Sequence, residues 1–291
     1  MDFQEGEILY IDKPYRWTSF DVVNKVRWLL CKRLGVKKLK VGHAGTLDPL
    51  ATGVMIVCTG RATKRIDELQ AHTKEYVATL RLGATTPSFD LEHPIDAYYP
   101  TDHITREQVE STLRQFLGRI EQIPPTYSAV KVDGKRAYDL ARKEKEVELK
   151  PKVLVIDEIE LVDCCLKEDR SEIPPSERSD SSSFIFHSSL PSLPRTAMRS
   201  KAFLTSPSMP DDATSYPSIS LRVVCSKGTY IRALARDIGK ALGSGAHLTA
   251  LRRTRVGDVR VEDCLSMEAF PEWLENMVTK EPQQPNDAMT Q

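Results

Sequence analysis

The run Gly53-Val54-Met55-Ile56-Val57-Cys58-Thr59 limits this chain more than any other segment. A strand with one wet face alternates apolar and polar residues, whereas a run that is apolar at every position needs cover on both faces. Spanning a bilayer takes about 20 such residues, so this one reads as a buried strand within a sheet. Its N-terminal approach, Val41-Gly42-His43-Ala44-Gly45-Thr46-Leu47-Asp48-Pro49-Leu50-Ala51-Thr52, is a glycine-punctuated loop with a single carboxylate, Asp48. A carboxylate at the mouth of a sheet costs several kcal/mol unless it is paired or hydrogen-bonded. Two readings stand at this point: an Asp-Pro turn that starts the strand, or a functional acid.

The remaining pattern mixes strands and helices without strict alternation. Residues 7–12, 74–82, 153–161 and 219–225 read as strands. A helix capped near Thr18 or Ser19 presents Val22, Val23, Val26, Leu29 and Leu30 on one face. Thr105 with Gln108 three positions on is a capping-box signature for a helix that ends before Gly118. Residues 127–132, Asp133-Gly134 and 135–142 read as strand, turn and helix, and a last short helix is expected over 267–278. This order predicts an α+β fold with a mixed, largely antiparallel central sheet flanked by helices and loops. Residues 168–218 hold 14 Ser and 7 Pro in 51 positions and no Gly, too little apolar surface to offset ordering. They read as a disordered surface insertion that interrupts one domain, because the strands on either side would otherwise form a hairpin. The domain is expected to span residues 1–265, with a short helix and a polar tail over 266–291.

Formal net charge is zero, yet the distribution is uneven. Residues 1–65 carry 12 Lys or Arg against 6 Asp or Glu, and residues 222–260 carry 9 against 2. If these segments converge they form a positive face, the footprint of a polyanionic partner; the alternative is exposed helices coated with Lys and Arg. Six cysteines without a C-x-x-C pair fit buried thiols in a reducing compartment, and six scattered histidines give no metal-ligand spacing. The acidic start of the chain resembles neither signal nor transit peptide, so the expectation is a cytoplasmic protein with no membrane partner.

A second informative block, Cys225-Ser226-Lys227-Gly228-Thr229-Tyr230-Ile231-Arg232, reads as a strand-to-helix junction, with Leu234, Ile238 and Leu242 on one side of the helix. It brings Tyr230 and Arg232 to the end of a strand. A guanidinium there either pairs with Asp48 and holds it ionised, or is an ordinary helix-surface cation.

Several motifs together resemble the TruB family of tRNA pseudouridine synthases. They are Lys13-Pro14 with Ser19 and Asp21, the block from Gly42 to Gly53, Arg61-Ala62-Thr63-Lys64, Lys74-Glu75-Tyr76, Ile123-Pro124-Pro125 with Tyr127-Ser128-Ala129, the block from Lys227 to Arg232, and Gly245-Ala246-His247 with Leu251-Arg252-Arg253. The resemblance covers roughly residues 5–260 apart from the insertion. It implies isomerisation of uridine to pseudouridine at position 55, in the T loop of tRNA, with tRNA (through its T arm) as partner, no cofactor or metal, and a monomeric enzyme. It further implies that Asp48 is the catalytic nucleophile, that Arg232 pairs with it, and that Tyr76 stacks on the flipped uracil and is a candidate base at C5. Tyr230 and Leu251 would complete the base pocket, and His43 would enter the space the base leaves in the RNA. Lys13, Lys64 and Lys227 are candidate RNA backbone contacts. Members often carry a C-terminal PUA domain, for which the residues after Arg260 are too few, implying reduced recognition of the acceptor arm. Two rival readings remain: a non-catalytic tRNA-binding or RNA-folding protein using the same face, and a carboxylate glycosidase. The second needs two acids across the scissile bond, and no second acid lies in a comparable motif.

Overall fold

A computed structural model describes residues 1–128, 130–132, 135–137, 149–166 and 216–277. The expected insertion lies outside the described residues except for 216–218, as do the Asp133-Gly134 turn and the polar tail. Among the described residues, fourteen strands run in chain order: β1 Ile8–Lys13, β2 Val41–His43, β3 Ala51–Thr59, β4 Lys74–Leu82, β5 Ala84–Thr85, β6 Ala97–Tyr98 and β7 Gly118–Gln122. They continue with β8 Lys131–Val132, β9 Lys135–Arg136, β10 Lys152–Cys165, β11 Ser218–Cys225, β12 Ala246–Val256, β13 Val259–Arg260 and β14 Leu265–Ser266. One large sheet takes the order β14-β1-β3-β12-β4-β11-β10-β7. The β14–β1 and β3–β12 pairs are parallel, and the other neighbours along this path are antiparallel. This is the mixed, largely antiparallel α+β architecture that the sequence predicts.

β3 lies inside the sheet for the reason its composition gives. Met55 and Val57 pack with Val22, Val26 and Leu30 of the helix Ser19–Leu34 and with Phe270 of the helix Phe270–Asn276. Val54, Ile56 and Cys58 pack on the other face with Ala44, Leu69, Val256 and Val261. β4 instead alternates: Tyr76, Ala78, Leu80 and Leu82 point into a second core with Leu234 and Ile238 of the helix Ile231–Ala241. Thr18 and Asp21 close one capping box and Thr105 and Gln108 another, so both helix starts follow their sequence signals. β10 and β11 pair antiparallel, bringing together the two ends that flank the Ser/Pro-rich segment.

Two expectations need correction. The helix expected over 135–142 does not begin at its first residues: 135–136 form a short strand paired with 131–132, which satisfies their backbone groups, while residue 137 is helical and 138–142 lie outside the described residues. β12, between β3 and β4, was not anticipated from the sequence.

The parallel contact of β3 with β12 depends on Gly53. Its φ is +104°, and a Cβ there would lie 2.1 Å from the Arg253 carbonyl oxygen. Gly53→Ala is expected to cost about 3 kcal/mol or more, read as a lower urea midpoint at unchanged m-value.

Candidate active site

Each side of the site is fixed by an element already described. The Gly42-to-Gly53 loop enters β3 with Asp48 near its end, and Ser19 holds the residue before it. Leu47 N–H donates to Ser19 Oγ at 2.8 Å, and the hydroxyl donates back to Leu47 O at 3.0 Å. From the other side, the junction after β11 delivers Tyr230 and Arg232. Buried Gln122 pins it, accepting from Tyr230 N–H at 2.9 Å and donating to Tyr230 O at 3.2 Å.

Arg232 and Asp48, 184 residues apart, form a two-pronged pair: Nε donates to Oδ2 at 2.8 Å and Nη2 to Oδ1 at 3.0 Å. The guanidinium also donates to Ser88 O at 3.0 Å and Tyr127 O at 2.9 Å. Its side chain is only 5% exposed, while that of Asp48 is 33% exposed, so the pair has a buried anchor and an accessible carboxylate. Burial opposes the charge on Arg232, but Asp48 and then Asp90 outweigh it and leave the guanidinium above its ordinary pKa.

Asp48 opens onto a cavity of about 360 Å³ whose lining includes Tyr76, Tyr230, Leu251 and Arg232. Five cations (Lys74, Lys152, Lys227, Arg232 and Arg253) also line it, with Asp48 as the one carboxylate among the described lining residues. Three of these cations, Lys227, Arg232 and Arg253, come from the basic segment 222–260 and none comes from residues 1–65, so the two basic segments do not meet at this cavity, and Lys74 and Lys152 supply the rest of its charge. Arg253 is 1% exposed and donates to Val54 O at 2.7 Å, Gly45 O at 3.2 Å and Thr46 O at 3.4 Å. These acceptors are neutral carbonyls, and among the described residues no carboxylate pairs with its charge beside the loop. Tyr76 pairs across the sheet with both Val223 and Arg253. Burial pushes its phenol above the ordinary value against the pull of Arg253.

Not every residue picked from the sequence meets here. His43, on β2, is half-buried outside the cavity lining, and burial lowers its pKa. Lys227 stands exposed at the rim. Lys64 is exposed in a separate groove with Lys38, Lys40 and Arg61. Lys13 needs a correction as an RNA contact: it is 0% exposed, and its ammonium donates to Pro14 O at 2.9 Å, to Trp17 O and to Pro49 O at 3.2 Å. It ties the Asp48 loop to the end of β1 and cannot reach a phosphate.

Residues without an assigned role in the sequence also belong to the site. Asp90 is buried, with Oδ2 3.6 Å from Arg232 Nε, so the guanidinium lies between two carboxylates. A second acid therefore stands near Asp48, outside the motifs quoted from the sequence, but Asp90 lies buried against the arginine and does not line the cavity. Lys74 and Arg253 belong to the quoted motifs, and their burial is the property the motif letters did not reveal. Among the described residues, no cluster of three or more His, Cys, Asp or Glu could hold a metal ion. No described helix is long and apolar enough to cross a membrane.

Burial pulls the ammonium groups of Lys13 and Lys74 down to about 8. The unfolded chain keeps these protons to about pH 10.4, so from about pH 8 upward it binds more protons than the folded state and stability rises with pH. Buried Cys58 and Cys225, pushed up to about 11, act in the opposite sense above about pH 9. The urea midpoint is thus expected to rise between about pH 7.5 and 9, and Lys13→Met to remove part of that slope, by less than about 1.4 kcal/mol per pH unit.

Comparison with known proteins agrees with this arrangement. The model of the TruB family pseudouridylate synthase N-terminal domain matches residues 32–177, and that of the tRNA pseudouridylate synthase B C-terminal domain matches residues 232–285. A tRNA pseudouridine synthase B of Phocaeicola vulgatus is 61% identical over 281 residues, covering 97% of this chain and 98% of that protein. The Flavobacterium johnsoniae protein of the same name is 42% identical, covering 94% and 98%. Among solved structures, a chain of a Cbf5–Nop10–Gar1 complex superposes with a TM-score of 0.57 at 25% identity. That match covers 96% of this chain and 58% of its neighbour. With a family model spanning the Asp48 loop and relatives aligned nearly end to end, this chain belongs to the TruB family of pseudouridylate synthases.

Proposed function

We propose that this enzyme isomerises uridine to pseudouridine in the T loop of tRNA, at position 55, with Asp48 as the reacting carboxylate. The observation that carries the reading is the Arg232–Asp48 pair at the mouth of an aromatic-walled, cation-rich cavity. The relatives named for tRNA supply the substrate class. Chemistry at C5 of a stacked base requires extrusion, which costs a few kcal/mol. Tyr76 offers a π face of the kind worth about 1–3 kcal/mol per base, with Tyr230 and Leu251 as further walls. His43, beside the loop, is assigned to the gap left in the RNA stack. Lys227 and Lys64 are assigned to the RNA backbone.

The reaction breaks N1–C1′, turns the uracil and joins C5 to C1′. N1 gains a proton and C5 loses one, with no redox change. Asp48 takes part either by covalent attack or by removing a sugar proton, and Arg232 keeps it anionic and aimed. The raised pKa of Tyr76 keeps the phenol protonated near neutrality, which favours its stacking role over a role as base. Every side chain used comes from one copy, so a monomer suffices, and a tRNA substrate puts the enzyme in the cytoplasm.

Tritium release from a tRNA transcript labelled at C5 of uridine tests the reading. Release by the wild type is expected, with affinity for the transcript falling about tenfold or more between 50 and 200 mM salt. Tight binding without release would favour a non-catalytic RNA-binding protein. Binding indifferent to salt would remove the role given to the cationic face.

A further inference from the structure

Residues 86–90 hold a strained backbone against Arg232. Phe89 has φ +62°, one of two non-glycine residues with positive φ among the described residues. Bulky side chains rarely take this conformation, and where they do the surroundings must enforce it. Here they do so from several sides. Phe89 N–H donates to Thr86 O at 3.1 Å, closing a turn with Pro87 at its second position. Leu248 N–H donates to Phe89 O at 2.9 Å, and Thr86 Oγ donates to Asp90 O at 2.7 Å. The Arg236 guanidinium lies 5.1 Å from the Phe89 ring centroid, one helical turn along from Arg232.

The two residues flanking Phe89 both face the same guanidinium. Ser88 O accepts from Arg232 Nη1 at 3.0 Å, and Asp90 Oδ2 lies 3.6 Å from Nε. The left-handed residue turns the chain sharply between them, so that the backbone carbonyl before it and the side chain after it reach one guanidinium.

We propose that Phe89 is a positioning residue for the isomerisation: its left-handed backbone turns the Ser88 carbonyl and the Asp90 carboxylate onto Arg232, and so fixes the group that aims Asp48. This rests on the reading of Asp48 and Arg232 given above. The role belongs to the backbone conformation, and the ring contact with Arg236 secures the turn to the helix that carries Arg232.

The series Phe89→Gly, Phe89→Ala and Phe89→Val separates this from simple packing, because conformational ease and side-chain size run in opposite orders. Single-turnover rates and affinities on the tRNA transcript are measured alongside urea midpoints. The Gly variant is expected within about threefold of the wild-type rate, since glycine takes positive φ freely. The Val variant is expected to be slower by about tenfold or more at similar tRNA affinity, with Ala between them. If rates follow size, with Val best and Gly worst, or are equal in all three, the proposal fails. If Val does not fold, the Gly and Ala pair decides, and Ala at or above the Gly rate overturns it. Asp48→Asn in the same assay keeps the two claims apart: an active Asp48→Asn enzyme sinks the underlying reading, whereas an inactive one beside a fast Phe89→Val sinks only this inference.

Discussion

Asp48→Asn is expected to reduce pseudouridine formation by on the order of 10⁴-fold while tRNA affinity changes little. The substitution keeps shape and one oxygen acceptor but removes the charge that can attack or take a proton. Because, among the described residues, the Asp48 side chain hydrogen-bonds only to Arg232, the base walls and the cationic rim stay in place. Folding should suffer modestly. The guanidinium retains Ser88 O, Tyr127 O and the nearby Asp90, so a loss of about 1–2 kcal/mol in urea denaturation is expected. Single-turnover tritium release measures the first effect, and transcript titration checks that binding survives.

Arg232→Ala is expected to damage both activity and fold. Removing one partner of a buried pair leaves the other charge unpaired, typically at a cost of about 3–5 kcal/mol. Asp90, 5% exposed, is the carboxylate left in that position, and the carbonyls of Ser88 and Tyr127 lose their donor as well. The rate should fall by about 10³-fold as Asp48 loses both its aim and its counter-charge. Arg232→Lys supplies charge without the planar fork, so a smaller stability loss with a rate still down by about 10²-fold is expected. The ratio of these two variants, read in rate and in urea midpoint, separates charge from geometry. Equal rates for Lys and Arg would show that the two-pronged contact does not matter.

The sequence was legible where one local signal decided the outcome. The uninterrupted apolar run gave β3, strict alternation gave β4, and Thr105 with Gln108 gave a helix start. The partnership of Asp48 with Arg232 could be anticipated because each lies in a motif block at a strand end. β12 was hidden by its own chemistry. Its register shifts twice, between Leu248 and Ala250 and between Arg253 and Arg255, so the period of two is broken. It also carries Arg252, Arg253 and Arg255, which read as surface residues, yet Arg253 is almost fully buried on backbone carbonyls contributed by a loop some 200 residues earlier. The same limit applies to Lys13 and Asp90. Burial of a charged side chain is set by what the fold packs over it, and neither letter nor spacing records that. The joining of β10 to β11 shows the converse, since the composition of the intervening segment already implied that the flanking strands belong to one sheet.

The most direct measurement is the position of the product. A tRNA transcript treated with the enzyme, then with a carbodiimide that marks pseudouridine, is read by primer extension. A single stop at the T-loop uridine, absent with Asp48→Asn and absent from a transcript carrying cytidine at that position, is the expected result. Stops at other uridines, or an undiminished T-loop stop with Asp48→Asn, would contradict the account.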